Sequence, residues 1–230
     1  MDRYNIINGK NEREIVLLKS FPCVWGKCSF CDYIEDNSTD KCEVRSVNKP
    51  VLAKITGEKG VLEVINSGSV FEIPQEDLEE IKKIVKEKNI RKLYFEAHWC
   101  YRKKLQKMKD FFEGVEVIFK TGIETFDDNF RNEVLNKNVR YKSIDEVKKY
   151  YDSICLMVGI KGQTKEMIKK DIETVEKEFP RATINIWTEN STKFKRDEEL
   201  IKWFAKEYSY LRDDERIEVL FENTDFGVGD

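Results

Sequence analysis

The sequence is nearly devoid of histidine: His98 is the only one among 230 residues. A metal site built on several imidazoles is therefore excluded. No apolar run approaches the roughly 18 residues of a membrane-spanning helix. The polar start, MDRYNIINGKNERE, lacks the apolar stretch of a secretory signal. An intracellular, cytoplasmic chain with no membrane partner is the expectation. Charge of one sign is also missing, since 41 basic residues face 44 acidic ones. Binding to a phosphate backbone needs a basic surface, so no nucleic-acid partner is expected. Repeats and Pro/Gly/Ser-rich linkers are absent as well, which predicts a single domain over 1–230. Hydrophobic residues still make up 40% of the chain, enough to build a core.

The sequence does contain a regular alternation of short apolar runs and longer amphipathic ones. Strands are expected at EIVLLKSF (14–21), VLEVINSGS (61–69), KLYFEAHW (92–99), VEVIFKTGIE (115–124), SICLMVGIKG (153–162) and ATINIWTEN (182–190), with a last one in the IEVLFENTDFGVGD stretch. Helical patterns follow from the second strand onward, beginning with PQEDLEEIKKIVKEKN, where Pro74 suits a first turn. Strands returning through helices imply right-handed βαβ units and a parallel sheet. Six units are too few for a closed eight-stranded barrel of about 250 residues. The predicted class is α/β, a partial (βα)6-type open TIM barrel of parallel strands with an extra C-terminal strand; a doubly wound sheet is the rival. In both, the site lies at the carboxyl ends of the strands.

Cysteine is locally abundant. FPCVWGKCSFCDY (21–33) places Cys23, Cys28 and Cys31 at C-x4-C-x2-C. In a reducing compartment, clustered cysteines point to metal binding rather than disulfides. Zinc could close the set with Cys42, but DYIEDNSTDK between Cys31 and Cys42 offers no second knuckle. A plant-type [2Fe–2S] cluster uses this spacing plus a distant cysteine, such as Cys100 or Cys155, on a β-rich carrier. A [4Fe–4S] cluster with one iron lacking a protein ligand needs only three. Gly26 gives the longer first interval its backbone freedom.

A cysteine loop after the first strand of a βα series, ending Cys-x-aromatic-Cys, resembles the radical S-adenosylmethionine (SAM) superfamily, whose usual spacing is one residue shorter. NSGS (66–69), FKTGIETFD (119–127) and VGIKGQTKE (158–166) match its further segments in order. The resemblance implies a cluster on Cys23, Cys28 and Cys31 and a bound SAM whose reductive cleavage yields a 5′-deoxyadenosyl radical. It places Phe30, Asn66, Ser67, Gly68, Lys120, Glu124, Gly159 and Asn185 around that cofactor. Asn66 and Ser67 suit the methionine amino group, Gly68 close backbone approach, and Lys120 and Glu124 the ribose, with Lys120 also suited to the methionine carboxylate. An external electron donor such as flavodoxin or ferredoxin is implied too.

Within the superfamily, REIVLLKSFPCVWGKCSFCDYIEDNS, LEVINSGSVFEIP, YFEAHWCYR and FKTGIETFDDNFR resemble the queuine lyases of queuine salvage. These cut the carbon–nitrogen bond of queuine and leave 7-aminomethyl-7-deazaguanine. Such a base offers an N–H and an exocyclic amine to one carboxylate. Glu96, Glu222 and Asp225 are candidates for that part, Glu72 for substrate hydroxyls, and Phe21, Trp99, Trp187 and Phe226 for flat walls. His98 is read as either a substrate contact or a structural residue. Asn185, Thr183 and Glu189 share a strand face expected to look into the cavity. Cys100 and Cys155 are expected as buried small hydrophobes, and Cys42 outside the metal site.

Overall fold

The computed structural model describes residues 2–222 and 224–229. Eight strands carry the fold: β1 (Tyr4–Ile7), β2 (Arg13–Leu18), β3 (Val61–Asn66), β4 (Lys92–Glu96), β5 (Glu116–Glu124), β6 (Ser153–Val158), β7 (Arg181–Ile186) and β8 (Ile217–Leu220). Six α-helices accompany them: α1 (Lys41–Leu52), α2 (Gln75–Glu87), α3 (Leu105–Phe111), α4 (Ile144–Lys148), α5 (Lys165–Glu178) and α6 (Glu198–Glu207). Strand order follows chain order from β1 to β8. A doubly wound sheet would reverse direction at a switch point, so this order belongs to the barrel topology. Six βα units followed by β8 give the α/β partial-barrel class expected from the sequence.

The chain divides into two compact units. The first comprises residues 1–26, 33–119 and 226–230. There β2 pairs in parallel with β3, and β3 with β4. Its core is the apolar content of these strands, Ile15, Val16, Leu18, Leu62, Val64, Leu93 and Phe95, all buried. β1 was not expected; it pairs antiparallel with β2, Tyr4 opposite Val16. α1 begins where the Asp40 carboxylate accepts from the Cys42 N–H at 2.8 Å. Pro74 stands at the N-cap of α2, where its missing N–H costs nothing.

The second unit comprises residues 27–32 and 120–225. β5, β6, β7 and β8 pair in parallel, with a register shift between Gly122 and Glu124. Ser143, Thr164 and Asp197 cap α4, α5 and α6 with side-chain oxygens. The run DDNFRNEVLNKN forms one π turn at Phe130–Val134 rather than an α-helix. Fully buried Arg131 there bonds to the carbonyls of Thr125 and Val139, both at 2.8 Å. Strands end earlier than the apolar runs suggest, at Asn66, Glu96 and Ile186, leaving the polar residues beyond them in loops. Among the described residues no helix is long and apolar enough to cross a membrane.

Candidate cofactor and substrate site

In the first unit, the loop after β3 is built around Glu72. Ser69 and Glu72 form a capping box, the carboxylate accepting from the Ser69 N–H at 2.5 Å. The same carboxylate accepts from the Tyr101 hydroxyl at 2.6 Å and from the Val24 N–H at 3.3 Å. Its backbone carbonyl accepts from the Phe21 N–H at 3.0 Å. Glu72 thus latches both Phe21 and Val24, on either side of Cys23, to the end of β3. Burial pushes its carboxyl above the usual range, while the Tyr101, Ser69 and Val24 donors pull it back. Gly68 lies against the same loop: a Cβ there would stand 3.4 Å from both Cα and Cβ of Cys23.

Asn66 and Ser67 are buried at the end of β3. Asn66 donates to the Ser20 hydroxyl at 3.0 Å and to the Ser69 carbonyl at 3.1 Å. Its Oδ1 is buried without a partner, which leaves one acceptor for a ligand. Ser67 contacts the Ser20 hydroxyl and donates to the Asp36 carbonyl at 3.0 Å. At the end of β4, Glu96 is half-buried. His98 caps the next turn, its Nδ1 accepting from the Cys100 N–H at 3.3 Å. That bond turns Nδ1 toward the backbone of the turn. The ring stacks on Trp25, centroids 6.5 Å apart and planes 8° from parallel. Trp99 is buried, while Cys100 faces outward, contrary to expectation, because the short helix after His98 turns it away from the core. Phe226 receives the Arg13 guanidinium on its ring at 4.6 Å.

In the second unit, Phe30 packs with Phe130, Leu135, Met157, Ile160 and Trp187, and Cys28 and Cys31 lie against this cluster. The segment is docked at three points. Ser29 N–H donates to Leu135 at 2.9 Å, Asn136 to the Lys27 carbonyl at 2.7 Å, and Asn190 to the Phe30 carbonyl at 2.8 Å. Lys120 and Glu124 are buried on β5. Glu124 pairs with Lys137, Nζ to Oε1 2.6 Å. Burial alone would lower the Lys137 ammonium; Glu124 and the Cys28 and Cys31 sulfurs outweigh it and hold it well above the ordinary lysine range.

Gly159 abuts Ile201, which leaves no room for a side chain. Gln163 closes the Gly159 turn by accepting from the Gly159 and Ile160 N–H groups at 2.8 and 3.0 Å. Asn185 is half-buried in β7, in register with Met157 and Leu220. Just beyond it, Trp187 Nε1 and Thr188 Oγ1 are buried with no partner. Glu222 is exposed, and the exposed Asp225 accepts from the Phe221 and Glu222 N–H groups at 2.5 and 3.1 Å, closing the turn after β8.

No disulfide joins the six cysteines; Cys23, Cys28 and Cys31 are partly exposed, Cys42 is exposed on α1 and Cys155 is buried. Gly26 takes φ 55°, and a Cβ there would meet the Cys23 carbonyl oxygen at 3.1 Å. The longer first interval is thus a left-handed turn that glycine accommodates best. Among the described residues no three His, Cys, Asp or Glu side chains are grouped to hold a metal ion. The ligand set therefore rests on the motif, and the soft thiol donors suit an iron–sulfur cluster.

The chain is 59% identical to the queuine lyase from Clostridium spiroforme, solved bound to SAM and queuine. The match covers 100% of both chains with a TM-score of 0.98. The chain belongs to the queuine lyase family. Two structures of Streptococcus suis SuiB share the fold at TM-scores of 0.57 and 0.54, the second bound to S-adenosylmethionine. They are 16% and 15% identical, covering 91% of this chain and 49% and 47% of theirs. No protein-family model and no curated protein matches the chain. For a queuine lyase, the residues that sequence reasoning missed are the supports: Tyr101, Trp25, Lys137 and Gln163. Only the Ser69–Glu72 capping box had a readable signal, S-x-x-E.

Proposed function

We propose that this chain is a radical SAM queuine lyase that breaks the carbon–nitrogen bond of queuine and releases 7-aminomethyl-7-deazaguanine. The observation that carries the reading is the full-length 59% identity to a queuine lyase. We treat residues 1–230 as one catalytic domain on the same ground. Bound to the chain, a [4Fe–4S] cluster and SAM would supply 5′-deoxyadenosyl-radical chemistry for hydrogen abstraction, with Cys23, Cys28 and Cys31 as the cluster's ligands.

The chain's own residues have distinct tasks in this reading. Cys23, Cys28 and Cys31 hold the cluster. The unpartnered Asn66 Oδ1 accepts from the methionine ammonium, and the flush Gly68 lets the backbone close in. Ser67 keeps the end of β3 in place. Lys120 offers its charge to the methionine carboxylate, and Glu124 an oxygen to the ribose. Phe30, Gly159 and Asn185 border the adenosyl group. Trp187 Nε1 and Thr188 Oγ1 are donors awaiting an acceptor on a purine-like ring.

On the substrate, His98 offers its imidazole edge, and Glu96 accepts from ring N–H and amine. Phe21 lies at the same end as an apolar wall. Glu72, with three donors already on its carboxylate, acts here by fixing the cysteine loop. Glu222 and Asp225 close the turn after β8 at the mouth of that strand. The electron comes from a flavodoxin- or ferredoxin-type donor, and six cysteines without a disulfide suit a reducing cytoplasm.

Anaerobic reconstitution tests the reading. The chain should take up about four irons with acid-labile sulfide, and SAM should change the cluster's spectrum. A zinc-stabilised binding module would take up about one zinc and no sulfide. That outcome would end the proposal.

A further inference from the structure

Lys137 has no place in the tasks assigned above, yet several costly features converge on it. Its side chain is 14% exposed and its partner Glu124 is 6% exposed, so the ion pair is largely withdrawn from water. Glu124 adopts φ 64° at the register shift in β5, a left-handed conformation uncommon for a residue of this size. Gly122 supplies the room, since a Cβ there would stand 2.6 Å from the Lys137 Nζ. The ammonium also lies over Phe30, 5.4 Å from the ring centroid, and Phe30 sits between Cys28 and Cys31 in the sequence.

Docking of the cysteine segment does not need this charge. Leu135 and Asn136 already bind the Ser29 N–H and the Lys27 carbonyl. What Lys137 adds is a positive charge over Phe30, in the cluster against which Cys28 and Cys31 pack, in a poorly solvated place. Cluster potentials respond to net charge and solvent exposure, and a weakly screened unit charge acts over many ångströms.

We propose that Lys137 is a positioning residue that sets the reduction potential of the cluster held by Cys28 and Cys31, with Glu124 as the counter-charge limiting its effect. The inference rests on the functional reading above. The sign of each change follows from charge alone. Lys137→Gln removes a positive charge, destabilises the more negative reduced cluster and moves the midpoint to lower potential. Glu124→Gln removes the negative partner, leaves the ammonium uncompensated and moves the midpoint up. Each shift should be about tenfold in the reduction equilibrium, about 59 mV for one electron.

The test is an anaerobic redox titration, followed by electron paramagnetic resonance, on reconstituted wild type and variants with and without SAM. The expected result is opposite shifts for K137Q and E124Q, a near wild-type midpoint for Lys137→Arg, and partial return in the double variant K137Q/E124Q. Loss of packing alone would not produce opposite signs. If one single variant fails to load, the other still decides the sign: K137Q must move the midpoint down, or E124Q must move it up, while Lys137→Arg leaves it near wild type. Midpoints that do not move, or that move together, overturn the inference while leaving the functional reading standing. A wild-type chain that takes up no [4Fe–4S] cluster overturns both.

Discussion

Asp171 offers a sharp test of the energetics. It lies on α5 with 1% exposure. One carboxylate oxygen accepts from the Phe126 N–H at 2.6 Å, while Oδ2 is buried without a partner. Burial pushes its carboxyl up to about 7, against the pull of the Phe126 N–H, the Thr125 hydroxyl and Arg131. The ordinary value is 3.8. From about pH 4 to 7 the folded chain keeps a proton that the unfolded chain has released, so stability falls as pH rises through that window. At about 1.4 kcal/mol per unit, the loss amounts to about 4 kcal/mol above pH 7. Below pH 4 both states are protonated and the contribution is fully present. Asp171→Asn keeps the acceptor for Phe126 and never ionises. Its stability relative to wild type should therefore rise by about 4 kcal/mol between pH 4 and pH 8. Urea unfolding of the cluster-free chain, followed by circular dichroism across that range, measures the difference. A gap that stays constant within about 1 kcal/mol from pH 4 to 8 would refute the reasoning.

Other outcomes follow from single contacts. Arg131→Met strips donors from two buried carbonyls and from the Tyr141 hydroxyl, and should cost about 3–5 kcal/mol in thermal or urea unfolding. Trp187→Phe removes a buried donor that has no partner in the ligand-free chain. Unfolding stability should change by no more than about 1 kcal/mol, whereas calorimetry should show SAM or queuine binding about tenfold weaker. Unchanged affinity for both ligands would remove Trp187 from the site. Cys23, Cys28 or Cys31→Ala should each abolish uptake of a SAM-cleaving cluster, while Cys42→Ala should load iron and sulfide as wild type does.

Much of this was legible because period and punctuation agree. The runs feeding β2 to β8 are apolar, and those of β3 to β7 are each followed by a helical pattern; β2 is followed by α1, which was missed. That helix carries a late proline, Pro50, and turns Asn48 inward, so its apolar face is thin. β1 was missed because four residues between polar stretches give no alternation to read; its ordering comes from antiparallel pairing with β2. The cysteine loop stood out because thiols are few and local. The Glu124–Lys137 pair did not, since thirteen positions and a π turn separate its members and only tertiary packing joins them. Glu72 carries two signals at once. Its place at a strand end suggested a ligand contact, and S-x-x-E is also a capping box that ties its carboxylate to the loop.

The most direct test of the account gives the reconstituted chain queuine, SAM and a one-electron reductant without oxygen, and follows both products by mass spectrometry. The account predicts 5′-deoxyadenosine and 7-aminomethyl-7-deazaguanine appearing together, and neither in the Cys28→Ala chain. Formation of 5′-deoxyadenosine with no aminomethyl base would contradict the substrate assignment, leaving a radical enzyme for another small polar molecule.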